Sequence, residues 1–89
     1  MTRVAIVTGG TRGIGEAISL ALKQQGRTVV ANYAGNDAKA KAFSDAHGIK
    51  IHRWDVGDHE ACLAGCRQIE DEVGPIDIVV NNAGITRDG

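Results

Sequence analysis

Aromatic side chains are scarce: Tyr33, Phe43 and Trp54 are the only three in 89 residues. Nothing therefore builds the platform on which successive nucleic-acid bases stack. An excess of either charge is missing too. Ten Lys and Arg residues against eleven Asp and Glu leave a net charge of −1, which gives nucleic acid or an anionic membrane no broad attraction. No apolar run is long enough to span a bilayer, and no signal-peptide pattern precedes Thr2-Arg3, so neither membrane nor nucleic acid is an expected partner and a cytoplasmic location is expected. Proline occurs once, at Pro75, and the hydrophobic share of 43% is ordinary for a soluble globular chain of one small domain.

Cysteine is limited to Cys62 and Cys66. With His59 they fall at i, i+3 and i+7, on one helical face. A metal site there would need a fourth ligand, and the sequence shows no C-x-x-C or H-x-x-x-H partner. Cys62, Cys66, Ile69 and Val73 instead read as the buried stripe of a helix, and no metal is expected. A disulfide within one helix is geometrically poor and out of place in a reducing compartment.

What the chain does have is glycine, concentrated where it matters: Thr8-Gly9-Gly10-Thr11-Arg12-Gly13-Ile14-Gly15. This stretch follows the apolar run Val4-Ala5-Ile6-Val7 and opens an apolar-periodic segment reaching Leu22. A strand feeding a Gly-rich turn that becomes a helix start binds phosphate. The first helical turn has unpaired N–H groups, and the helix dipole favours negative charge there. A Cβ in such a turn would block it or keep a pyrophosphate away from the backbone. The spacing is T-G-x-x-x-G-I-G, not G-x-G-x-x-G, and a Walker A loop is excluded because no Lys-Ser or Lys-Thr follows.

The remaining chain alternates. Arg3 to Thr8, Thr28 to Tyr33, Ile49 to Trp54 and Ile76 to Val80 predict strands. Three helices are predicted between them. The first is expected to bury Ile14, Ile18, Ala21 and Leu22 and turn Glu16, Ser19 and Lys23 away, with Gly26 as its stop. The second starts at a cap on Asn36 or Asp37, carries Ala38, Ala42, Phe43 and Ala46, and ends at Gly48. The third is capped by Asp58, carries the cysteine stripe to about Val73 and stops at Gly74-Pro75. The β-α-β-α-β-α-β order predicts an α/β fold, a Rossmann-like doubly wound parallel sheet with strand order 3-2-1-4. Its ligand crevice lies between the first and fourth strands, where the glycine turn and Asn81-Asn82-Ala83-Gly84 converge.

Three motifs, Thr8-Gly9-x-x-x-Gly13-Ile14-Gly15, Asp55-Val56 and Asn81-Asn82-Ala83-Gly84, stand in the order and spacing of the short-chain dehydrogenase/reductases, and the whole chain resembles their N-terminal half. The segments Gly10-Thr11-Arg12 and Ile85-Thr86-Arg87-Asp88 look most like the acetoacetyl-CoA reductases of polyhydroxybutyrate synthesis, with the 3-oxoacyl-acyl-carrier-protein reductases next. The resemblance implies that Gly9, Gly13, Ile14 and Gly15 line the cofactor's phosphates, that Asp55 meets the adenine amino group beside the Val56 backbone, and that Asn82, Ala83 and Gly84 run along the ribose. Thr8 and Asn81 would mainly lock the first and fourth strands together. Thr11, Arg12, Asn32 and Tyr33 complete the candidate cofactor-binding set.

The family's catalysis uses Y-x-x-x-K with an upstream serine. Tyr33 is the one tyrosine here and has no lysine four residues later, so no catalytic residue is named. Residues 1–89 are expected to be the N-terminal dinucleotide-binding portion of a single Rossmann domain, ahead of the catalytic segment. The expected activity of the parent enzyme is NADPH-dependent reduction of acetoacetyl-CoA to 3-hydroxybutanoyl-CoA. The alternatives are a carrier-protein reductase of fatty-acid synthesis and a non-catalytic nucleotide-binding module. The expected partner is a small acyl thioester, and the resemblance implies a homotetrameric parent. NADP(H) is preferred over NAD(H) because no carboxylate ends the second strand at Asn32-Tyr33, while Arg12 can supply a charge-assisted contact to a 2′-phosphate.

Overall fold

The computed structural model describes residues 3–11 and 13–82. Among them the elements run β1 (Val4–Val7), α1 (Gly13–Gln24), β2 (Thr28–Tyr33), α2 (Asp37–His47), β3 (Lys50–Arg53), α3 (His59–Glu72) and β4 (Ile76–Val80). All strands pair in parallel, in the order β3-β2-β1-β4, the Rossmann-like arrangement expected from the alternation. β1 and β3 are shorter than their apolar runs because the flanking residues leave the ladder for turns. Thr8 N still donates to Val80 O and Trp54 N to Tyr33 O, both at 3.0 Å.

Handedness explains the layers. The path β1→β2→β3 crosses the sheet one way and the step back to β4 crosses it the other way, so right-handed crossovers put α1 and α2 on one face and α3 on the opposite one. Alternate strand residues follow: Val4, Ile6 and Val30 pack with Trp54 and Ile69, whereas Val7, Val29 and Ala31 pack with Phe43 and Ile49. Central β1 is buried throughout because both its faces are covered. β4 lies at the sheet's edge. Its ladder with β1 shifts register between Val4 and Ala5, skipping Asp77. The Asp77 carboxylate lies 3.7 Å from Arg3 and 3.6 Å from Arg27.

The third helix presents the stripe expected of it. Cys62, Cys66 and Val73 pack, half-buried, around the fully buried Ile69 and the core beneath. At Gly65 an added Cβ would lie 2.6 Å from the Trp54 ring. Burial pushes the Cys66 thiol up from its ordinary value, and neighbouring Cys62 and Glu70 add to the effect. Among the described residues, no group of three or more His, Cys, Asp or Glu side chains could hold a metal, and no helix is long and apolar enough to cross a membrane.

The caps resolve to Asn36, which accepts from Lys39 N at 3.1 Å, and Asp58, which accepts from Ala61 N at 3.1 Å. Gly48 ends α2 by donating its N–H to Ser44 O at 2.8 Å.

The predicted face of α1 needs correction. Ile14 is 65% exposed and Ser19 is fully buried, the reverse of what their polarity suggests, and Ala21 is exposed. Ile18 and Leu22 do pack on the core. The reason is the approach of the helix to the glycine turn. A Cβ on Gly15 would lie 2.0 Å from Gly9 O, so only glycine lets the helix come this close. One turn later, Ser19 lies beneath the turn, its Oγ 3.1 Å from Gly10 O and 2.9 Å from Gly15 O. A hydroxyl with acceptors on both sides is satisfied in the interior; a leucine would leave Gly10 O without that donor.

Candidate functional site

A cleft of about 630 Å³ opens at the carboxyl ends of β1 and β2. Gly9, Thr11, Gly13 and Ile14 line it from the turn, residues 32–36 and Lys39 from the end of β2 and the start of α2, and Val56 and Asn82 from the loops after β3 and β4. The sheet order reverses beside β1, which is where such folds bind ligands.

Gly9 is gripped from two sides. Its N–H donates to Asn32 Oδ1 at 3.3 Å, and its carbonyl accepts from Asn82 Nδ2 at 3.3 Å. Gly10 N–H donates to the Asn32 carbonyl at 3.0 Å. The turn is thus tied to both strands that flank β1. Thr8 Oγ1 adds a donation to Val80 O at 3.2 Å, joining the ends of β1 and β4 as expected of it, while Asn81 is exposed. Gly13 enters α1 at φ +60°, where no added Cβ would touch anything within 4 Å. Its need for glycine is conformational, whereas that of Gly15 is steric.

The first N–H groups of α1 have no intrahelical carbonyl to receive them, and the helix dipole adds partial positive charge. They open on a cleft floored by glycine, which fits an anionic group lying close to the backbone. Asn82 contributes a second sign of fit. It is 5% exposed, and its Oδ1 is buried without a donor among the described residues. An unpaired buried acceptor is destabilising by roughly 1–3 kcal/mol, so a ligand hydroxyl or water that donates to it would be favoured.

The site residues separate into groups. Gly9, Thr11, Gly13, Ile14, Asn32, Tyr33, Val56 and Asn82 come together around the cleft. Gly15 is buried behind it as the contact between helix and turn. Asn32 is only 1% exposed, and both ends of its amide are engaged, Oδ1 with Gly9 N and Nδ2 with Trp54 O at 3.0 Å. Asp55 is not among the lining residues; its Oδ1 accepts from Gly57 N at 2.8 Å within its own loop. Arg12, Ala83 and Gly84 lie outside the described residues.

Sequence reasoning named none of Ala34, Gly35, Asn36 and Lys39 as a lining residue. The available signal was positional: a helix starting directly after β2 brings its first turn to the strand's carboxyl end. On the outer rim, Arg53 Nη1 lies 3.2 and 3.0 Å from the two oxygens of Asp37. Tyr33 sits beside this pair. Burial raises its phenol above the ordinary value, followed by a hydrogen bond and charge from Asp37, with Arg53 opposing.

A doubly wound parallel sheet with a glycine turn leading into a helix at its switch point defines the Rossmann class of folds. The family model described as short chain dehydrogenase matches residues 3–89, and the chain belongs to that family. Its similarity to an acetoacetyl-CoA reductase of Paracoccus denitrificans is 62% identity over 88 residues, covering 99% of this chain and 36% of the relative. A 3-oxoacyl-[acyl-carrier-protein] reductase FabG of Staphylococcus aureus (strain Mu50) is 41% identical over 93 residues, covering 99% and 38%. The solved structure of a protein assigned as a 3-oxoacyl-reductase from Bacillus thuringiensis superposes with a TM-score of 0.85 at 22% identity, over 92% of this chain and 36% of that one. This last likeness speaks for the fold alone. The chain spans little more than a third of the length of these curated relatives.

Proposed function

We propose that this chain is the cofactor-holding part of an NADPH-dependent reductase that converts acetoacetyl-CoA to 3-hydroxybutanoyl-CoA. The observation that carries the reading is the 62% identity to an acetoacetyl-CoA reductase across nearly the whole chain, against 41% to the carrier-protein reductase. Family membership implies a nicotinamide dinucleotide, and that group supplies the hydride when bound. The residues here bind and orient it. The start of α1 takes the pyrophosphate, with Gly9, Gly13 and Ile14 letting it approach the backbone. Asn82, continued by Ala83 and Gly84, meets ribose hydroxyls, and Val56 flanks the adenine.

Three features support NADP(H) over NAD(H). No carboxylate ends β2, where Asn32 and Tyr33 stand. Asp37, the next acidic residue, is paired with Arg53. Lys39 lines the cleft beside that strand end, and it joins Arg12 as a candidate partner for a 2′-phosphate.

The test uses a protein carrying this segment and continuing beyond Gly89. Its kcat/KM with NADPH is compared for acetoacetyl-CoA and for the acyl-carrier-protein thioester. Preference for the CoA ester supports the proposal, and preference for the carrier protein moves the assignment to fatty-acid synthesis. Binding of NADPH with no turnover of either would identify a nucleotide-binding module. A homotetrameric parent in the cytoplasm completes the proposal, and sedimentation of that longer protein checks its assembly.

A further inference from the structure

We infer that Asn32 is a positioning residue that decides which backbone N–H groups of the glycine turn remain free for an anion. This rests on the dinucleotide reading above and goes beyond it, because Asn32 itself is assigned no contact with the ligand. The turn offers a series of N–H groups, and a phosphate could in principle be met by any of them. Asn32 occupies the first two. Its side-chain Oδ1 accepts from Gly9 N at 3.3 Å, and its main-chain oxygen accepts from Gly10 N at 3.0 Å. Both N–H groups are thereby engaged by β2. Among the groups not held by Asn32 are those at the start of α1, where the helix dipole also acts.

The amide is well suited to this task. It must be a donor and an acceptor at once, because its Nδ2 donates to Trp54 O at 3.0 Å while Oδ1 holds Gly9. One side chain so links the ends of β1, β2 and β3. Its burial, at 1% exposure, keeps water from competing for either bond. Aspartate would match the shape but place a negative charge beside the anion site, and leucine would match the volume but leave Gly9 N and Trp54 O unpaired. Asn82 complements the arrangement by holding Gly9 O from the other side at 3.3 Å, so Gly9 cannot swing without breaking a bond to one strand or the other.

The experiment has two arms, both in the protein that continues beyond Gly89. In the first, the unmodified protein is titrated with ADP and followed by amide NMR. The amides of Gly13, Ile14 and Gly15 are expected to shift and gain exchange protection, while those of Gly9 and Gly10 keep the protection they already have. Gly9 or Gly10 gaining the most protection would overturn the inference without any variant being made. In the second arm, Asn32→Ala is titrated with ADP and with adenosine, which lacks the diphosphate. The expected result is a loss of tenfold or more for ADP, with adenosine changed by less than twofold. Equal losses for both ligands, or none for either, would overturn it, since a merely structural residue would not single out the diphosphate. Failure of the unmodified protein to bind ADP or NADPH at all would instead overturn the dinucleotide reading, and the inference with it.

Discussion

A methyl group at Gly15 is the sharpest test of how the cleft is built. The added Cβ would sit 2.0 Å from Gly9 O and 2.7 Å from Asn82 Nδ2. Carbon approaches oxygen to about 3.3 Å at closest, so the helix or the turn must retreat by about 1 Å. The nearest obstruction, Gly9 O, is backbone and not a flexible side-chain tip. Overpacking of this kind is destabilising by roughly 1–3 kcal/mol. Retreat also stretches the Ser19 contact to Gly10 O and the Asn82 bond to Gly9 O, worth roughly 0.5–1.5 kcal/mol each. Alanine's better helix propensity returns about 1 kcal/mol. The net expectation for Gly15→Ala is a loss of about 3 kcal/mol, roughly 100-fold in the folding equilibrium. Gly13→Ala is the control. It meets no atom within 4 Å but sits at φ +60°, which costs about 1–2 kcal/mol before the stiffer unfolded chain offsets part of it. Urea unfolding followed by circular dichroism ranks the two, and dinucleotide titration should show the larger loss for Gly15→Ala. A Gly15→Ala protein as stable as wild type, or a Gly13→Ala protein that is worse, would refute the steric argument.

Ser19→Ala removes the donor to Gly10 O and should lower stability by about 1 kcal/mol, with Ser19→Thr closer to wild type; urea midpoints check both. The raised Cys66 pKa leaves less thiolate at any pH below it, so iodoacetamide should label Cys66 more slowly than a free peptide thiol at pH 8, with the gap closing as the pH rises; peptide mapping reads the rates. Arg12→Ala should weaken NADPH by roughly 1.5–3 kcal/mol and leave NADH nearly unchanged, while Lys39→Ala weakens NADPH by less; equal losses for the two cofactors would remove either residue as a 2′-phosphate reader. Residues 1–89 by themselves contain no Y-x-x-x-K and should show no turnover of acetoacetyl-CoA with NADPH above background.

The order of elements and the parallel sheet follow from the sequence alone, whereas the cleft, expected between the first and fourth strands, extends over the end of β2 as well. Continuous apolar runs and helical apolar patterns, capping residues and glycine stops are local signals, and right-handed crossovers leave one economical way to connect them. The glycine turn is local too, since its strand, turn and helix are contiguous. Tertiary structure decided which polar groups face inward. Ser19 reads as surface on a helical wheel, yet the close approach permitted by Gly15 buries it against Gly10 O. Asn32 reads as a ligand contact at a strand end, yet its amide is spent on Gly9 and Trp54, residues 23 positions before it and 22 after. Lys39 reaches the cleft because α2 begins at the end of β2, and Asp55 turns into its own loop. A hydrogen bond between distant residues depends on register and distance across the folded sheet, and no spacing along the chain encodes either.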